Sequence, residues 1–129
     1  VGERTGGWER DELAAVDAAA ELEIAVRRDD GALRAWTPVW VVRVDEQVLV
    51  RSWYRRGTGW FGAVLRSRHA RVRVPGLEAD VTVDDLGDAD PVLSAAVDTA
   101  YRAKYRAGAG SMVTPEAVST TLRLVPSGR

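Results

Sequence analysis

Leu22, Ile24 and Val26 alternate with Glu23, Ala25 and Arg27, which is the period of a strand with one face buried. Ahead of them, Leu13 and Val16 form a narrow apolar stripe among alanines, and Asp11 and Glu12 suit the positive end of a helix over residues 9–20. Asp29-Asp30-Gly31 signals a turn into a second strand over 33–44. Its run Val39-Trp40-Val41-Val42 is apolar on both faces and predicts a central strand, while Pro38 marks a bulge or a locally unpaired edge. Asp45-Glu46-Gln47 turns the chain into a third strand over 48–53. A short helix then opens at Thr58-Gly59. Two alternating strands, 71–74 and 78–83, are joined through Pro75-Gly76. Asp90 as N-cap and Pro91 at the first helical position start a long helix to about residue 106, with Gly108 and Gly110 expected to stop it. After a loop over 111–115, alternation from 117 to 125 predicts a last strand.

This order of elements implies an α+β class: a small, six-stranded, mainly antiparallel split β-barrel with an N-terminal helix, a short helix and one long helix. An open sheet with helices on one side fits the same pattern. With 129 residues the expectation is one domain over 1–129, its first seven residues a flexible arm.

Composition changes the picture in three places. Net charge is −1, yet residues 51–73 hold seven arginines and no acid, and residues 78–98 hold seven acids and no Lys or Arg. A polarised molecule is the expectation. The absence of cysteine excludes disulfides, thiol nucleophiles and thiolate metal sites. No apolar run is long enough for a membrane span and no signal-peptide pattern stands out, so a soluble cytoplasmic protein without a membrane partner is expected.

The arginine-rich stretch carries the candidate chemistry. It interleaves Trp53, Tyr54, Trp60 and Phe61 with its arginines and reads as strand, Gly-containing loop and helix N-terminus. Unpaired backbone N–H groups, a positive dipole end and fixed charge there suit an anionic aromatic ligand. The plainer reading makes the arginines a solvated face and the tryptophans core. His69 is read as a surface residue, and one His without Cys leaves transition-metal sites and a Ser-His-Asp triad without their parts. The acids at 84–85, 88 and 90 are read as solvated. Tyr101 and Tyr105 share a helical face; Tyr101 is a candidate proton donor, against the packing role usual for such a pair.

The motifs Thr-Pro-Val-Trp at 37–40, Val-Arg-Ser at 50–52, Gly-Trp-Phe at 59–61, Ala-Tyr-Arg-Ala-Lys-Tyr at 100–105 and Thr-Thr-Leu-Arg-Leu at 120–124 together resemble a bacterial domain family of unknown function. That family is similar to the split β-barrel proteins that bind FMN or deazaflavin. The resemblance implies a cofactor across the barrel, usually at a homodimer interface. It places Arg51, Ser52, Arg55 and Arg56 near a phosphate, Gly59 and Trp60 at the helix entrance, and Thr37, Pro38 and Val39 along the ring. Three functions stay open. The first is a flavin- or deazaflavin-dependent oxidoreductase. A second is a cofactor-free cyclase or isomerase of secondary metabolism using Trp36, Trp40 and Trp60 as a substrate wall. The third, a nucleic-acid-binding module, has near-zero net charge and the lack of a recognised motif against it.

Overall fold

The computed structural model describes residues 7–52 and 59–127. Seven strands form one antiparallel sheet: β1 Leu22–Val26, β2 Thr37–Val39, β3 Val41–Val44, β4 Gln47–Val50, β5 His69–Val74, β6 Leu77–Asp85 and β7 Leu122–Pro126, in the order β2-β1-β5-β6-β7-β4-β3. Four α-helices accompany them: α1 Arg10–Ala18, α2 Gly59–Ser67, α3 Pro91–Tyr105 and α4 Pro115–Val118. A 3₁₀ segment, Arg106–Met112, follows α3 directly. The class is the expected α+β barrel, with seven strands in place of six.

The extra strand comes from the segment expected to be one central strand. Chain direction is interrupted at Trp40: β2 pairs with β1, Thr37 opposite Ile24, whereas β3 pairs with β4, Val41 opposite Val50. These two pieces stand at opposite ends of the sheet order, so neither is central. Their apolar double face has another cause. Val41 belongs to the cluster inside the barrel, while Val42 turns outward into a second cluster with Leu49, Val97 and Tyr101 beneath α3. The sheet thus comes round on itself, and its two edges meet through covalent continuity at Trp40 instead of ladder hydrogen bonds. Curvature is helped by one extra residue before Pro38. Arg27 bridges Leu33 while Ile24 pairs with Thr37, which sets four steps of chain against three.

Alternation fills the barrel as the pattern predicts. Ile24, Val48, Val50, Val72, Val81, Val83, Leu122 and Leu124 all point inward and are essentially inaccessible to solvent. Helix α2 adds Phe61 and Val64 to the same cluster and packs against β1, β5 and β6. Helix α1 contributes Leu13 and Val16 and lies on β3. Trp8, buried, donates its indole N–H to the Leu124 carbonyl at 2.9 Å. At the Pro75-Gly76 hairpin, Gly76 has φ +87°, which an L side chain rarely adopts.

Two further expectations are corrected. Residues 117–121 are not strand: Thr114 accepts from the Ala117 N–H, Pro115 occupies the first turn, and α4 forms there. Gly108 and Gly110 do not end helical structure but run within the 3₁₀ segment. Among the described residues the two charge blocks are in part brought together. Strands β5 and β6 are neighbours, so Arg71 meets Glu78 at 2.6 Å and Asp80 at 3.0 Å, and Arg27 meets Asp80 at 2.9 Å. Opposite charges far apart in chain are adjacent in space.

Candidate functional site

A cavity of about 280 Å³ opens where β2, the end of β4, the first turn of α2 and the 3₁₀ segment converge. Thr37, Pro38, Val39 and Trp40 supply one side, Arg51 and Ser52 another, and Trp60, Ser111, Met112 and Glu21 complete it. Seven of the residues singled out in the sequence therefore line one space. Arg55 and Arg56 lie outside the described residues. Gly59 opens α2 with φ +56°, next to Trp60, though it is not itself in the lining.

Trp40 is held from two sides. Its ring stacks on Tyr105 at 4.3 Å with 2° between planes, and a Cβ placed on Gly108 would lie 3.0 Å from its Cη2. Trp60 is half-buried, packed against the barrel cluster and set edge-on to Phe61 at 5.6 Å. Trp36 does not reach the cavity. The Arg73 guanidinium covers its ring at 3.9 Å, and Arg73 in turn pairs with Glu23 at 2.7 Å. Trp36, expected as part of a substrate wall, is thus outside the cavity lining and in a cation–π contact.

Arg51 forms part of the wall, but its charge is directed into the protein. The side chain is fully buried, and Nε donates to Thr121 Oγ1 at 2.8 Å. Nη1 donates to Asp98 Oδ1 at 2.6 Å and to the Met112 carbonyl at 2.8 Å, and Nη2 to the Ser94 carbonyl at 3.3 Å. Four of its five N–H groups are thus used to bind α3, the 3₁₀ segment and the residue before β7. Arg51, expected near a phosphate, thus holds its guanidinium in an internal ion pair.

Tyr101 is likewise engaged. Its hydroxyl donates to the Trp40 carbonyl at 2.9 Å and accepts the Arg51 N–H at 3.0 Å, bridging the backbone just beyond the β3–β4 ladder. The ring is fully buried, and burial pushes the hydroxyl pKa far above the ordinary tyrosine value. Tyr101, expected as a proton donor, is absent from the cavity lining, and its hydroxyl satisfies two backbone groups. Tyr105 and Lys104 act on the same seam. Tyr105 Oη accepts from the Val41 N–H at 3.1 Å and donates to the Ala20 carbonyl at 2.8 Å. Lys104 Nζ donates to the Val16 and Val41 carbonyls, each at 2.9 Å.

Thr120 completes the frame, accepting the Ser52 N–H at 2.8 Å. Among the described residues no buried side-chain nitrogen or oxygen lacks a partner, and no group of three His, Asp or Glu could hold a metal ion. No helix among them is long and apolar enough to cross a membrane. Sequence reading missed Glu21, Ser111 and Met112, which topology alone brings to the cavity.

The fold is shared with solved structures of low sequence identity. A conserved hypothetical protein from Mycobacterium tuberculosis superposes with a TM-score of 0.63 at 11% identity, over 100% of this chain and 86% of the other. A protein from Bacteroides thetaiotaomicron proposed to confer 5-nitroimidazole antibiotic resistance gives 0.62 at 13%, over 92% and 79%. The FAD and heme binding protein of Mycobacterium smegmatis gives 0.52 at 17%, over 93% and 67%. Comparison with curated proteins returns no match. At these identities the likeness shows the split-barrel fold. The model of a family described as uncharacterized proteins conserved in bacteria, DUF2255, matches residues 12–124, nearly the whole sequence, and the chain belongs to that family.

Proposed function

We propose that the protein is a flavin-binding oxidoreductase whose cavity holds the planar ring of the cofactor, FMN or a deazaflavin. The observation that carries this is the convergence of Thr37–Val39, Trp40 and Trp60 on one space in a fold shared with a protein that binds FAD. An extended strand offering backbone groups to a ring edge, with indoles alongside, suits an isoalloxazine. The described residues fit the ring and not the phosphate, because Arg51 is occupied by Asp98. Arg55 and Arg56 are the candidates for the phosphate. Flavin, when bound, supplies the hydride-transfer chemistry. The chain's own part is to position the ring, to exclude water with Trp40, Trp60 and Met112, and to keep the strand seam rigid through Tyr101 and Tyr105.

A cavity of about 280 Å³ falls just below the range usual for ligand sites, roughly 300–1,000 Å³. We therefore expect a homodimer in which a second subunit encloses the rest of the ligand. Titration of purified protein with FMN, FAD and a reduced deazaflavin, followed by absorbance and flavin fluorescence, tests the binding. A shifted, saturable spectrum supports the proposal; unchanged spectra with all three overturn it. In that case the cofactor-free cyclase or isomerase reading takes its place, favoured by the internal pairing of Arg51.

A further inference from the structure

The cavity's described wall has the opposite electrostatic character from the one its sequence suggests. Arg51 contributes apolar stem and backbone while its guanidinium is bound to Asp98 and to the Met112 and Ser94 carbonyls. The remaining ionised residue of that wall is Glu21, exposed to solvent at the junction between α1 and β1. No cationic partner contacts it among the described residues. The backbone beside it is anchored. The preceding carbonyl, of Ala20, accepts the Tyr105 hydroxyl at 2.8 Å, and Tyr105 is the ring on which Trp40 stacks at 4.3 Å. A carboxylate and an indole thus flank one opening. Burial raises the Tyr105 hydroxyl pKa, and the charge of Glu21 adds to the shift, which fits a carboxylate close to that stack.

We propose that this cavity selects ligands carrying an ammonium or comparable N–H donor on an aromatic body, with Glu21 accepting the donor and Trp40 meeting the ring. The donor gains a charge-assisted hydrogen bond, and the indole face attracts the same cation. An anionic ligand would meet Glu21 unfavourably at this end of the cavity. This inference goes beyond the flavin reading and does not rest on it: the Trp40 wall offered to the amine's ring is the one offered to the cofactor's, so the two would compete for the cavity. Binding of the amine itself does not require the cofactor.

The test uses three probes of similar shape: 2-phenylethylamine, 2-phenylethanol and 3-phenylpropionate. Each is titrated into the protein with and without FMN, with calorimetry and tryptophan fluorescence as readouts. Because Glu21 is solvent-exposed, the expected preference for the amine over the alcohol is modest, about 5- to 10-fold, and should shrink as salt rises. Glu21→Gln should abolish it, and Glu21→Lys should reverse it in favour of the carboxylate, with the thermal melts of both variants unchanged. Equal affinity for amine and alcohol, tighter binding of the carboxylate, or a preference that survives Glu21→Gln would each overturn the inference. The two readings fail separately. If FMN binds and the amine preference is absent, only this inference falls; if the preference is present and no flavin binds, it stands and the flavin reading falls.

Discussion

Arg51→Met separates a structural arginine from a ligand-binding one. The substitution keeps most of the buried stem and removes the guanidinium, leaving Asp98 without its cation and the Met112 carbonyl without this donor, while Thr121 Oγ1 keeps its bond to the Val118 carbonyl. Removing one member of a buried pair typically costs about 3–5 kcal/mol. The Asp98 side chain is 25% exposed, so water relieves part of its loss, and about 3–4 kcal/mol is the better expectation. With an unfolding entropy of about 2.1 cal/mol/K per residue over 129 residues, each degree corresponds to about 0.27 kcal/mol. The variant should melt about 11–15 °C below the parent by calorimetry. Asp98→Asn should lose part of the same free energy, and the double variant should cost less than the sum of the two. Flavin affinity, measured well below the melting range, should stay within a few-fold of the parent. A variant that melts like the parent but no longer binds flavin would show that the guanidinium serves the ligand and refute the internal ion pair.

Tyr101→Phe should cost about 2–4 kcal/mol in denaturant titration, because the Arg51 N–H and the Trp40 carbonyl lose their shared hydroxyl. Its raised folded-state pKa adds a pH signature: the gap between parent and variant should hold below about pH 10 and shrink above it, as the unfolded tyrosine ionises and the buried one does not. A gap that widens with alkali would contradict this. Gly108→Ala should displace Trp40, whose retreat is blocked by Tyr105, shifting tryptophan fluorescence and costing about 1–2 kcal/mol. Gly110→Ala, where an added Cβ meets nothing within 4 Å, is the matched control and should do neither. Trp60→Ala should raise the flavin Kd more than it lowers stability, since the half-buried ring cannot incur the full roughly 3–5 kcal/mol of a core tryptophan; a variant that is much less stable yet binds normally while folded would make Trp60 a packing residue alone.

Local signals carried the regular elements. Alternation at Leu22, Ile24 and Val26 defined β1, and Asp90-Pro91 announced α3, where Asp90 accepts from the Val92 and Leu93 N–H groups. Thr114-Pro115 is an equivalent helix start, but the period-two pattern after it masked a single helical turn. The break at Trp40 was hidden because a strand between barrel interior and covering helix has the same apolar faces as a central one. Direction is harder still to read. Trp36 and Trp40 are four residues apart, yet one lies under Arg73 and the other faces the cavity. Arg51 finds its partners 47 and 61 residues downstream, at a separation no local pattern encodes.

The meeting of β2 and β3 at Trp40 makes the barrel resemble a strap fastened with its own buckle. An open sheet offers two edges to which a foreign strand can add. Here the edges are strands of three and four residues, one carrying Pro38, and both belong to a single stretch of backbone. The pins are the Tyr101, Lys104 and Tyr105 side chains of α3. Undocking α3 would therefore unclasp the barrel as well as uncover a face, exposing β3 to other chains. Because the cavity is cut into this fastening, whatever occupies it tightens the closure, and ligand at 100 times its Kd would add about 2.7 kcal/mol against opening. Vacancy and aggregation are coupled in such a design: protein stored with ligand should resist strand-mediated association that protein stored without it does not.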